Sequence, residues 1–153
     1  MLTRFNYALI IILVSLDQSS KWLAQTNLKF FNSVSVIPKL LSFDLVHNYG
    51  AAYGILQNQR LFLLAVTLIV IIGGIVFSKS IIQSKYSQYG LLFLLAGAIG
   101  NGIDRLLLGY VIDFINIKIF PVFNFADIFI DIAVGCFIID MIINGKKTTQ
   151  KQH

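Results

Sequence analysis

The sequence contains no glutamate: its seven acidic residues are all aspartates, and only 12% of the 153 residues are charged. A solvated helix surface carries Glu and Lys in quantity, so this chain has little such surface. Cys136 is the only cysteine. That excludes an intrachain disulfide and a thiol-built metal site, and in its apolar run Cys136 reads as a small core residue. Of the two histidines one is the terminal His153, so His47 has no evident partner. A Ser–His or Cys–His nucleophile and a His/Cys zinc site therefore both lack their parts. What abounds is apolar. The chain is 57% hydrophobic with 13 Phe and 6 Tyr, and its mean hydropathy of +0.80 points to a membrane protein. The net charge of +5 comes from scattered basic residues, not from a patch suited to nucleic acid. At this length residues 1–153 are expected to form one domain.

Four apolar segments are predicted to span a membrane: about residues 5–26, 61–78, 89–107 and 123–144. The first could pass for a secretory signal. Its apolar run continues through DQSSKWLAQT without a clear cleavage site, however, and reads as a retained span. Asp17 and Lys21 sit four apart and share a helix face, ~18 and ~24 Å along the axis from Phe5. Two readings stay open for them: a helix-end pair whose lysine snorkels to the headgroups, and a direct part in an active site. No span is expected between 27 and 60. There SVSV and LSFDLV, separated by Pro38, suggest strands. HNYGAAYGIL follows at 47–56, with Asn48, Gly50 and Gly54 as turn residues and His47 as a surface or hydrogen-bonded histidine.

The second span is charge-free scaffold, and residues 78–88 are a short polar connection. The third ends in AGAIGNGIDRLL. No Gly-Lys-Ser/Thr follows that glycine cluster and no strand precedes it, which excludes a phosphate loop. Asn101, Asp104 and Arg105 present one polar face. An aromatic connection over 108–123 carries Asp113 and Pro121. On the fourth span Asn124, Asp127 and Asp131 share a face of the first two turns. Asp140, ~20 Å further along, reads as a solvated end charge at the opposite surface. The tail GKKTTQKQH is expected to be mobile.

Four spans put both termini on one side. That side carries six basic residues (Arg4, Lys79, Lys85, Lys146, Lys147, Lys151) against four on the other (Lys29, Lys39, Arg60, Lys118), which favours cytoplasmic termini. The polar groups of three spans and of the loops holding Asn48 and Asp113 then converge on the outer leaflet. Charged groups at such depth are costly and mark functional sites. The chemistry that remains is a carboxylate pair. Two close aspartates cannot both ionise cheaply, so one is positioned to activate water and the other to hydrogen-bond the carbonyl oxygen and help the leaving amine depart. Asp113 and Asp127 form the best pair, with Asp131 in reserve. The leading alternative is a small proton-coupled transporter, but the polar residues stop at one leaflet and no inverted repeat is visible. A purely structural membrane subunit would leave the buried charges unexplained. The glycine-x-glycine-aspartate signature of another intramembrane protease is absent, because Gly100-Asn101-Gly102-Ile103-Asp104 is one residue too long.

Five motifs in order resemble the lipoprotein signal peptidases, the type II signal peptidases of bacteria. They are Asp17 with Lys21, NYGAAYG at 48–54, GNGIDR at 100–105, VIDF at 111–114 and FNFAD at 123–127. The resemblance implies an aspartic endopeptidase of the bacterial inner membrane with catalytic Asp113 and Asp127. Asn48, Gly50, Asn101, Arg105, Asn124, Asp17 and Lys21 would support the pair or hold substrate. The implied substrate is a diacylglyceryl-modified prolipoprotein, cut on the N-terminal side of its lipidated cysteine. The implied fold is a membrane all-α core of four transmembrane helices, a small extracytoplasmic β-sheet cradle over residues 28–46, and a loop or helix between spans three and four. The expected working unit is a monomer embedded in lipid, needing no cofactor, metal or nucleic acid. Tyr49 and Tyr53 depart from the family pattern, and Asp131 is an additional intramembrane aspartate whose expected role is supporting hydrogen bonding.

Overall fold

Thr3 starts the first helix, its Oγ1 accepting the Asn6 N–H, and α1 then runs Arg4–Asn27. The computed structural model describes residues 2–51 and 54–150, with side chains to residue 144. Tyr53, the side chains of Lys146 and Lys147, and the terminal residues including Lys151 and His153 lie outside the described residues. After α1 come strands β1 (Val34–Ile37) and β2 (Leu41–Asn48), then α2 (Arg60–Val76), a short α3 (Ser78–Ile81) and α4 (Lys85–Leu107). Strand β3 (Val111–Asn116) and α5 (Phe125–Gln150) complete the chain.

α4 begins four residues before the expected Tyr89. The reason is a capping box. The Ser84 hydroxyl accepts the N–H groups of Tyr86 and Ser87, while Ser87 Oγ accepts the Ser84 N–H. The polar connection expected over 78–88 is thus partly helical at both ends. Asp140 corrects a second expectation. It accepts the Ser84 hydroxyl and the Asn144 amide, so it braces α5 against the α4 cap rather than serving only as a solvated charge. The tail expected to be mobile continues α5 as far as Gln150.

The sheet is antiparallel in the order β1-β2-β3. The two strands expected before residue 48 are present. The connection between α4 and α5 differs: where a loop or helix was expected, VIDFIN forms β3, with Asp113 opposite Val46 and Val111 opposite Asn48.

α4 lies at the centre, packed against α1, α2 and α5. Leu91, Leu92, Leu95 and Ala96 are sealed in its core contact with Ile10 and Phe129. Towards its C-terminal end a Cβ added at Gly100 would lie 2.5 Å from Asp17 Oδ2, so glycine is what lets α1 close on α4 there. The molecule is apolar outside as well as inside, with Leu61 81%, Ile69 70% and Ile11 64% exposed. So many exposed large apolar side chains suit a lipid surround better than water. Among the described residues Lys85–Leu107 is the one helix long and apolar enough to cross a membrane, while Arg60–Val76 is apolar but shorter.

Candidate active site

The sequence FNFAD builds the start of α5. Asn124 Oδ1 accepts the Asp127 N–H at 3.0 Å, and Asp127 Oδ2 accepts the Asn124 N–H at 3.1 Å. This is a reciprocal cap, and it places the Asp127 carboxylate at the positive end of the helix. The next free N–H, that of Ala126, goes to Asp17 Oδ1 at 2.8 Å. The first turn of α5 is therefore held by two separate side chains.

Asp113 arrives from β3 and is only 2% exposed. Its Oδ1 accepts Asn124 Nδ2 at 2.7 Å and its Oδ2 accepts Asn48 Nδ2 at 3.0 Å. Asn124 thus contacts both aspartates, bonding Asp127 through its backbone and Asp113 through its amide. Burial, and then the neighbouring charge of Asp127, raise the Asp113 carboxyl to about 7, against the opposing effect of the Asn48 and Asn124 hydrogen bonds and the Lys21 charge. Both aspartates line one cavity of about 710 Å³, together with Asn48, Asn101, Arg105 and Asp131.

Asn101 connects this cavity to a second polar cluster behind it. Its Nδ2 donates to Asp127 Oδ1 at 2.8 Å, while its Oδ1 accepts Lys21 Nζ at 3.0 Å and Asn124 Nδ2 at 3.1 Å. Two donors on one side fix which way the amide faces. Lys21 in turn pairs with Asp17 and Asp104, each at 3.0 Å, and is 1% exposed. The snorkelling lysine weighed from sequence is therefore corrected: Lys21 and Asp17 are interior. They do not line the cavity either, but stand one residue behind it. Asp104 Oδ2 also accepts the Ile112 N–H, which ties β3 to the same cluster.

Arg105 donates through Nη2 to the Gly50 carbonyl at 3.1 Å, and Asn48 Oδ1 accepts the Gly50 N–H at 3.0 Å. These two contacts hold Gly50 between Asn48 and Ala51, both of which line the cavity. A Cβ at Gly50 would meet the Ile55 carbonyl oxygen at 2.6 Å, so the loop closes in this form only over glycine.

Sequence reasoning missed Gln18, whose amide donates to Asp17, to Asp104 and to the Gly100 carbonyl. A glutamine within an apolar span, three residues before Lys21, was the available signal. His47 is half-buried, and its ring makes no hydrogen bond among the described residues. It stacks on Tyr110 at 3.8 Å and meets Phe30 edge-on, and its Nε2 is buried without a partner among the described residues. Burial pushes His47 below its usual range. Asp131 does not support the pair by hydrogen bonding: it is exposed, lines the cavity, and has no hydrogen bond or ion pair among the described residues. No group of three His, Cys, Asp or Glu side chains gathers as a metal site among the described residues.

The fold is that of bacterial membrane enzymes. A solved structure described as a bacterial membrane enzyme, determined in meso at 2.3 Å, matches with a TM-score of 0.86 and 34% identity over 94% of this chain and 90% of its own. A second, at 1.9 Å, matches with a TM-score of 0.79 and 35% identity over 90% of this chain and 92% of its own. Residues 9–143 match the family model for signal peptidase (SPase) II, and the chain belongs to that family. It is a peptidase. Among similar proteins named lipoprotein signal peptidase, that of Caldanaerobacter subterraneus is 44% identical over 90% of this chain and 95% of its own. That of Brevibacillus brevis is 39% identical over 92% of this chain and 97% of its own.

Proposed function

We propose that this peptidase is an aspartic endopeptidase that removes signal peptides from diacylglyceryl-modified prolipoproteins, cutting on the N-terminal side of the lipidated cysteine. The catalytic pair is Asp113 and Asp127. The observation that carries this reading is the Asn124 bridge, which holds two carboxylates at the wall of one cavity with amide donors and no directly paired ammonium. Two carboxylates so placed share one proton. The burial that lifts the Asp113 carboxyl to about 7 fits it to carry that proton near neutral pH.

In the reaction Asp127 takes a proton from the attacking water while Asp113 donates a hydrogen bond to the scissile carbonyl oxygen. The proton Asp127 has taken then goes to the departing amine. Asn101 and Asn124 hold Asp127 in place, and Asn48 and Asn124 hold Asp113. Lys21, with Asp17 and Asp104 behind it, keeps the Asn101 amide turned towards Asp127. Arg105 holds the chain at Gly50, between the cavity-lining Asn48 and Ala51.

Residues 1–153 act as one membrane-embedded domain with α1, α2, α4 and α5 crossing the inner membrane. The termini are cytoplasmic and the pair lies at the outer leaflet. The apolar outer surface of the bundle supports this placement, and it suits a substrate whose signal helix and acyl chains both stay in lipid. The test is a gel-shift assay with matched precursors, one diacylglyceryl-modified on its cysteine and one not. Cleavage of the lipidated precursor alone is expected, and equal cleavage of both would reject the substrate assignment.

A further inference from the structure

Asp131 is the one acidic side chain in the cavity wall that neither the pair nor the cluster behind it uses. It lies on the face of α5 that carries Asp127, one turn further along the helix, a rise of ~6 Å. It is exposed to the cavity and lacks any hydrogen bond or ion pair among the described residues. The two cations around the front pair are engaged elsewhere: Lys21 by Asp17 and Asp104, and Arg105 by the Gly50 carbonyl. Ile130, beside it, gives this part of the wall an apolar neighbour. A carboxylate at membrane depth is costly unless whatever fills the cavity supplies a donor.

The occupant follows from the peptidase reading, on which this inference rests. α5 runs from the level of the pair into the membrane, as does the signal peptide upstream of the scissile bond. A rise of ~6 Å corresponds to about two residues of extended chain or four of helix. We propose that Asp131 is a specificity-determining residue. It receives a hydrogen-bond donor side chain, such as threonine or serine, carried by the signal peptide two to four residues before the scissile bond. Backbone N–H groups of a helical signal peptide are already paired, so the side chain is what distinguishes one precursor from another.

The test uses lipidated precursors that differ only by threonine or valine at those positions, a pair of nearly equal shape. The full-length enzyme is reconstituted in vesicles. Wild type is expected to favour the threonine precursor in kcat/KM by roughly tenfold, the worth of one hydrogen bond to a charged group. Asp131→Leu brings the ratio to about one. Asp131→Asn, which keeps the shape and one acceptor oxygen, gives an intermediate ratio. A merely structural role for Asp131 would change both rates together and leave the ratio as in wild type, and that result overturns the inference alone. Failure of wild type to cut any lipidated precursor overturns the peptidase reading, and the inference with it.

Discussion

Two pairs of aspartates lie in the same end of the bundle and are treated in opposite ways. Asp17 and Asp104 share an ammonium: Lys21 reaches both at 3.0 Å, and their other oxygens accept the Ala126 N–H and the Gln18 amide respectively. Asp113 and Asp127 share only amides, from Asn48, Asn101 and Asn124, and face a cavity. Sealed charges that are fully paired hold position and carry no chemistry. A pair denied its cation must keep a proton, and a proton at a cavity wall can be given away. Asn101 joins the two regions, accepting from Lys21 and donating to Asp127.

The largest effects should come from breaking the front pair. On the proposed mechanism Asp113→Asn or Asp127→Asn removes one acid–base partner, so turnover of lipidated precursor should fall by ~10³-fold or more. Unfolding in detergent should stay near wild type, because amides replace an unfavourable pair of carboxylates. Breaking the rear pair should do the reverse. Lys21→Met leaves two buried carboxylates without their cation and should cost about 3–5 kcal/mol, read as a lowered thermal midpoint. Gly100→Ala forces a methyl against the Asp17 carboxylate and should cost about 1–3 kcal/mol by the same measurement.

A smaller effect sharpens the contrast through pH. Asp113 is protonated below about 7, so activity that needs this proton should fall as pH rises through that value. Asn48 donates to the ionised form, and Asn48→Ala should therefore move the alkaline limb upward. The pH–rate profile reads both constants as properties of the pair. Lys21→Arg, which keeps the charge that acts on Asp113, should alter rate more than the position of that limb.

The helices were legible because apolar runs and i, i+4 spacings are local. So was the level at which the polar groups meet, since depth follows from counting residues along each helix. β3 was not, because its pairing with β2 joins residues far apart in the chain, such as Asn48 with Val111 and Val46 with Asp113. The rear cluster escaped for the same reason: Asp17 and Lys21 announce a pair within one helix, but not that Asp104 and the Ala126 N–H complete it. The two aspartates that the structure brings to one cavity were singled out by eliminating other chemistries and by resemblance. The orientation of the three asparagines around them needed coordinates.

The central claim is that the front pair, and not the rear cluster, does the chemistry. The most direct test is a gel-shift assay of one lipidated precursor with wild type, Asp113→Asn and Asp127→Asn, each reconstituted at equal amounts in the same vesicles. Shift to the cleaved form is predicted with wild type alone. Turnover at the wild-type rate by either variant would contradict the account.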